Sequence, residues 1–221
     1  MKGAVLLDAL GTLVELKPPA PRLRAVLAAE GLPVAEERAA AAFRAEIAYY
    51  LEHHLEGGTR EGLEELRDRC AAILLETLAL PGLHHAVARR SMLAALEFTP
   101  YPDAVPALRA LRDGGRRLAI VSNWDCSLRD WLEPTGLVEL VDGLITSAAT
   151  GAAKPDPAIF QTALELLGAQ REHAVHVGDS LDKDVAGARA AGVRAILVAR
   201  GYEAPAGVEA VGTLAELPSL L

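Results

Sequence analysis

The chain predicts an α/β fold, a doubly wound parallel sheet interrupted by a block of helices. Three observations carry that prediction. Five short apolar runs, at residues 4–8, 117–121, 142–146, 174–178 and 194–198, are rich in Val, Ile and Leu and end in polar residues or glycine, the pattern of strands buried on both faces. The segments 103–113, 126–133, 156–168 and 182–191 between them have helical spacing, and strand–helix–strand repeated four times calls for parallel connections. Residues 17–96 break the rhythm with four long helical patterns and no strand.

Taken in order, the first run ends at Asp8 and is followed at once by a Gly11-Thr12 turn. Pro18, Pro19 and Pro21 then open the helical block, whose patterns lie at 20–30, 34–56, 60–79 and 83–96. Thr99-Pro100-Tyr101-Pro102 closes it, because a proline disfavours helix in the residue before it. Residues 1–16 plus 97–221 therefore form the sheet-bearing core, and 17–96 form an insertion. Within the core, Asp156 and Asp182 read as helix-opening acids, and Gly168 and Gly192 as helix stops.

Composition narrows the function. Half of the 221 residues are hydrophobic (51%), and the formal net charge is −8. No basic patch or tail is visible, which argues against nucleic acid or an anionic membrane as partner. No run approaches the roughly 20 apolar residues of a membrane span. Asp8 interrupts the first apolar run, so it does not read as a signal segment. Cys70 and Cys126 are isolated and match no metal spacing. The expectation is a cytoplasmic, reduced protein. Only four of the 22 basic residues are lysines, at 2, 17, 154 and 183, and Asn123 is the single asparagine. This composition fits a heat-adapted source, or simply a coding bias toward Arg and Ala.

Four strand ends carry polar groups of different chemical types. They are Asp8, then Ser122-Asn123, then Lys154-Pro-Asp-Pro, then Gly178-Asp179-Ser180 with Asp182 and Asp184 following. In a parallel sheet these tips share one edge, where ligands bind. A carboxylate nucleophile, a hydroxyl with nearby N–H groups, an ammonium and a second acid cluster suit phosphoryl transfer. The carboxylates also suit Mg²⁺, which prefers oxygen ligands.

These four segments resemble, in order and spacing, the motifs of the haloacid dehalogenase superfamily of hydrolases. The likeness spans nearly all of the chain outside the insertion, which resembles the helical cap of that superfamily's first subclass. The wording of residues 176–192 is similar to a phosphatase-type member. The resemblance implies that Asp8 is the nucleophile and forms an aspartyl-phosphate. Ser122 and the Asn123 backbone would bind phosphoryl oxygens, and Lys154 would neutralise charge on Asp8 and the phosphate. Asp8, the Leu10 carbonyl and Asp179 would hold Mg²⁺. Asp184 would orient a metal-bound water or Lys154, while Gly11 and Thr12 would shape the turn after the nucleophile. Cap closure would exclude water and choose a small phosphorylated or halogenated acid as substrate. Oligomeric state is not legible.

The resemblance departs at Leu10, where phosphatases of the superfamily usually carry an Asp that protonates the leaving group. Such acid–base help is worth roughly 10²–10⁴ in rate, or about 3–5 kcal/mol. Three readings follow. The chain is a phosphatase for substrates with good leaving groups, or one with an acid–base group supplied by His53, His54, His84, His85, Glu15 or Asp125. Alternatively it is a 2-haloacid dehalogenase, whose halide needs no proton, although those relatives do not use Mg²⁺ and lack the Gly-Asp acid cluster. The third reading is a phosphate- or metabolite-binding regulator with little catalysis. Competing structural readings stand beside the motif residues. Asp182 and Lys183 read as solvated, the histidine pairs as partly exposed helix residues, Cys126 as an apolar filler, and the glutamates of 56–65 as a solvated face.

Overall fold

Strongly apolar strands separated by amphipathic helices assemble, in the computed structural model, into a six-stranded parallel sheet. The structure describes residues 3–221, so Lys2 lies outside the described residues. The strands in chain order are β1 (Ala4–Leu7), β2 (Val14–Leu16), β3 (Phe98–Pro100), β4 (Arg117–Ser122), β5 (Gly143–Thr146), β6 (Ala174–Gly178), β7 (Arg194–Val198) and β8 (Ala210–Val211). The large sheet runs β5-β4-β1-β6-β7-β8, and β2 pairs with β3 separately. β1 is central, with Leu7 in register with Ile120 on one side and Val177 on the other. Val5, Leu6 and Leu7 are completely buried, which explains a run with no polar alternation. The helix Pro157–Leu167 lays Ile159, Phe160 and Ala163 into the cluster that holds Leu6, Val121 and Leu197.

The five sequence-predicted runs appear as β1, β4, β5, β6 and β7. Three short strands, β2, β3 and β8, lie outside these runs. β2 and β3 flank the helical block, and β3 contains Pro100, a residue compatible with extended backbone when its N–H is not needed. The fourth core helix also differs from expectation. Ser180, not Asp182, sits at its N-terminus and accepts from the Lys183 amide. Residues Leu181–Ala186 form a π-helical segment before the α-helix Gly187–Ala190. The acids of this stretch are thus spaced by the wider π turn rather than by an α-helix. Asp156 and Gly168 do terminate the helix Pro157–Leu167, the former accepting from the Ala158 amide and the latter at φ 53°.

The backbone divides into two compact units, residues 1–15 with 99–221, and residues 16–98. The second unit contains α1 (Pro19–Ala29), α2 (Glu36–His53), α3 (Arg60–Leu78) and α4 (His85–Ala95). The pattern read at 34–56 leaves α-geometry at His53 and finishes as a 3₁₀ turn, His54–Gly58, where Gly57 and Gly58 weaken helix continuation. Thr59 caps α3 by accepting from the Gly62 amide. Leu23, Leu27, Phe43, Leu66, Leu74 and Met92 make this unit's own apolar core. The glutamates at 56, 61, 64 and 65 are exposed, as the solvated-face reading expects, and two of them also form ion pairs. Glu56 pairs with His53 and Arg69, and Glu64 with Arg67 and Arg89. Exposed pairs of this kind are screened by solvent and contribute little to stability. Among the described residues no helix is long and apolar enough to cross a membrane.

Candidate active site

The position of Asp8 follows from the sheet. Its backbone amide continues the β1–β6 ladder by donating to the Val177 carbonyl at 2.9 Å. The side chain therefore emerges at the carboxyl edge, and it is only 6% exposed. The chain then turns back, with Leu13 and Val14 donating to the Ala9 carbonyl and Gly11 donating to Val14. Gly11 has φ +90°, and a Cβ there would lie 2.3 Å from a carboxylate oxygen of Asp179. A side chain at this position is excluded twice over, by conformation and by the acid it would strike. Gly178 makes similar room, since a Cβ there would sit 2.2 Å from Cγ of Asp184.

The strand tips and the loop before the Pro157–Leu167 helix bring the sequence-predicted residues together. Nζ of Lys154 donates to Oδ1 of Asp8 and to Oδ1 of Asp184, each at 2.6 Å. Oγ of Ser122 donates to Oδ1 of Asp8 at 3.2 Å. Thr12 Oγ1 is 3.5 Å from Oδ1 of Asp179, a weak contact by hydrogen-bond standards. Leu10 has no polar side-chain group, is 42% exposed, and bridges to Val14. Asp182 and Lys183 are exposed.

The charges are unevenly balanced. Burial pushes the Asp8 carboxyl up, to about 6, against the pull of the Lys154 ammonium. Burial also opposes ionisation of Asp184, but the Lys154 ammonium and the His176 hydrogen bond outweigh it and hold that carboxyl well below the usual range. Asp179 is raised by burial and by the neighbouring Asp184 charge. Burial disfavours the Lys154 charge, yet its two carboxylate neighbours more than compensate, and its pKa is raised. One oxygen from each of Asp8, Asp179 and Asp184 lies within 4.8 Å of the others. Three carboxylates facing one ammonium leave an excess of negative charge on hard oxygen donors, a set that fits a divalent cation such as Mg²⁺.

Two polar residues matter here in ways the sequence did not reveal. The Asn123 side chain grips the backbone of Lys154, with Nδ2 donating to its carbonyl at 2.9 Å and Oδ1 accepting from its amide at 2.7 Å. Only a side chain with both donor and acceptor can do this, and the rarity of asparagine in this chain was the available signal. His176 is fully buried on β6, with Nε2 2.8 Å from Oδ1 of Asp184 and its ring edge-on to Phe160. Among the described residues its Nδ1 has no hydrogen-bond partner, and the imidazole meets Asp184 through Nε2.

Four of the six alternative acid–base candidates are engaged locally. Oδ1 of Asp125 accepts from the amide and hydroxyl of Ser127, at 2.7 and 2.6 Å. His53 bonds Glu56, His54 bonds the Leu51 carbonyl, and His85 bonds the Asp68 carbonyl. Trp124 is buried with its amide held by Ser147 Oγ, and Trp131 is half-buried.

Comparison with known proteins gives the family context. The sequence profile described as haloacid dehalogenase-like hydrolase matches residues 2–192. Haloacid dehalogenase-like hydrolase domain-containing protein 3 of Bos taurus is 47% identical over 96 residues, 43% of this chain and 38% of that protein. The chain thus matches well under half the length of that relative. The plasmid-encoded phosphoglycolate phosphatase of Cupriavidus necator is 31% identical over 229 residues, covering 99% of this chain and 92% of that one. Among solved structures, a HAD phosphatase from Thermococcus onnurineus superposes with a TM-score of 0.66 at 27% identity, covering 100% of this chain and 97% of the other. The 2-haloacid dehalogenase of Pseudomonas syringae superposes with a TM-score of 0.71 at 24% identity, covering 100% and 98%, a likeness of fold alone.

Proposed function

The chain belongs to the haloacid dehalogenase-like hydrolases, and from that premise we propose that it is a Mg²⁺-dependent phosphatase acting on a small phosphorylated metabolite. The observation that carries this reading is the buried Asp8 carboxylate held by Lys154 and Ser122 beside two further acids. Asp8 attacks phosphorus. A bond forms from its carboxylate oxygen to phosphorus as the bond to the leaving oxygen breaks, giving an aspartyl-phosphate. Water then attacks that phosphorus, releasing phosphate and restoring Asp8. Lys154 and Ser122, already directed at Asp8, donate to the phosphoryl oxygens, where charge must be balanced. Asp184, with His176 behind it, keeps the Lys154 ammonium in place. Mg²⁺ held by Asp8, Asp179 and the Leu10 carbonyl would add positive charge at the phosphoryl group.

Leu10 cannot protonate a leaving group, so the favoured substrates are acyl or aryl phosphates, whose leaving groups need little protonation. Phosphate release from acetyl phosphate, p-nitrophenyl phosphate and a sugar phosphate, with and without Mg²⁺, tests this. The first two should exceed the third by about 10² or more, the contribution of a missing general acid, and Asp8→Asn should abolish all three. A preference for the sugar phosphate overturns the leaving-group assignment, and no release from any of them overturns the phosphatase reading. The apolar Leu10 also favours a second reading, a 2-haloacid dehalogenase. Chloride release from 2-chloropropionate that survives a chelator would put that reading first.

A further inference from the structure

The turn after Asp8 is held from outside by a residue that belongs to none of the four motifs. Arg200 lies just beyond β7. Its Nη1 and Nη2 make a two-pronged pair with Asp103, both at 2.9 Å, and Nη2 also donates to the Thr12 carbonyl at 3.0 Å. The guanidinium carbon lies 3.9 Å from the centre of the Tyr101 ring. The Tyr101 amide in turn donates to the carbonyl of Leu13 at 3.0 Å. Two successive carbonyls of the turn are therefore fixed by one assembly.

That assembly is itself anchored. Asp103 accepts from Thr213 Oγ1 at 2.5 Å and from the Leu214 amide at 2.8 Å, in addition to Arg200. Four donors on one carboxylate hold it below the usual range, against the effect of its burial. The Arg200 side chain is mostly covered, at 23% exposure. The turn it grips has little room to move, because Gly11 packs directly against the Asp179 carboxylate and Thr12 faces the same acid. A planar, forked cation suits the site, since a lysine could not span Asp103, the Thr12 carbonyl and the Tyr101 face together.

We propose that Arg200 is a positioning residue, fixing the Leu10–Leu13 turn so that its backbone and Asp179 keep the spacing that a divalent cation requires. The inference rests on the phosphatase reading for the cation, but the hold on the turn does not. Arg200→Lys should lower Mn²⁺ affinity, measured by calorimetric titration of the full chain, by about tenfold or more. It should lower kcat for p-nitrophenyl phosphate at limiting metal more than it changes KM. Amide hydrogen exchange across residues 9–14 of the metal-free protein should quicken, with the rest of the sheet unchanged.

Arg194→Lys is the control. Arg194 pairs with Glu209 through two nitrogens at the other end of β7, so a purely structural loss of an arginine–carboxylate pair would appear there too. That variant should leave Mn²⁺ affinity and exchange in 9–14 as in the parent. Parent-like exchange in Arg200→Lys overturns the proposal, as does parent-like Mn²⁺ affinity. An equal fall in affinity in both variants also overturns it. If the parent chain binds no Mn²⁺, the phosphatase reading fails, and the exchange of residues 9–14 alone decides whether Arg200 fixes the turn.

Discussion

The sheet-bearing unit and the helical unit each bury a carboxylate, and they treat its charge in opposite ways. Asp184 is 2% exposed and Glu46, on α2, is 6% exposed. Asp184 meets the Lys154 ammonium, the His176 ring and the Ser180 amide, and it stays ionised. Glu46 has the Cys70 thiol as hydrogen-bond partner, and burial drives its carboxyl up to about 7. Taking a carboxylate out of water costs several kcal/mol unless a cation and hydrogen bonds replace the solvent. A thiol is a weak donor. The difference teaches that partner chemistry, rather than depth, decides whether a buried acid is available as a charge. Asp8 lies between the two cases, because burial raises it to about 6 while the ammonium it shares with Asp184 pulls only partly against that.

Removing that ammonium should collapse the contrast. Lys154→Met keeps much of the side-chain bulk but leaves Asp8 and Asp184 facing each other without a counter-charge. Loss of one partner from a buried ion pair typically costs about 3–5 kcal/mol, so the urea midpoint at pH 8 should fall accordingly. The cost should shrink toward pH 5, where Asp8 takes up a proton. Phosphate release should fall with it. A midpoint at pH 8 equal to that of the parent would mean that the lysine does not balance these acids.

How far the sequence reveals this arrangement depends on what fixes each part. Buried parallel strands are legible because β1, β4, β6 and β7 are nearly uninterrupted Val, Ile, Leu and Ala. β2, β3 and β8, of three, three and two residues, are too short to carry a period. Asp8, Ser122, Lys154, Asp179 and Asp184 stand out because each follows an apolar run or lies in a motif. His176 is hidden inside such a run, and the Asn123 side chain takes a partner 31 residues away. Arg200 reaches Thr12 across 188 residues. Those pairings are products of strand order, β5-β4-β1-β6-β7-β8, which no local pattern encodes. The π-helical turn at Leu181–Ala186 was equally hidden, since its residues have ordinary helical spacing.

The helical unit offers the complementary break. A buried acid with a raised pKa binds its proton more tightly in the folded chain than in the unfolded one. Below the ordinary value of about 4.5, Glu46 is protonated in both states and its contribution is complete. As pH rises, the unfolded chain loses the proton first, and stability is lost until the folded pKa, about 7, is passed. At about 1.4 kcal/mol per pH unit, the loss reaches at most about 3.5 kcal/mol. Glu46→Gln removes this titration. Its urea midpoint should resemble the parent's near pH 4.5 and exceed it at pH 8, with phosphatase activity unchanged. A constant difference between the two proteins across that range would show that Glu46 does not change protonation on unfolding.

The finest distinction between the two regions concerns how the partner itself is held. Cys70 is placed by ordinary packing of α3 within an apolar cluster. Lys154 is fixed at both ends, its ammonium by two acids and its backbone by the Asn123 side chain. Asn123→Ala removes the backbone grip and leaves every charge in the site in place. Two lost hydrogen bonds, at about 1 kcal/mol each, should lower stability by about 2 kcal/mol, less than either change above. The informative readout is the split between kcat and KM for p-nitrophenyl phosphate. If the grip aims the ammonium, kcat should fall more than substrate affinity, because charge balance is needed most as the phosphoryl group transfers. An Asn123→Ala protein that loses stability but keeps the parental kcat would show that the two acids alone suffice to aim Lys154. Its backbone would then be no better fixed for chemistry than that of Cys70.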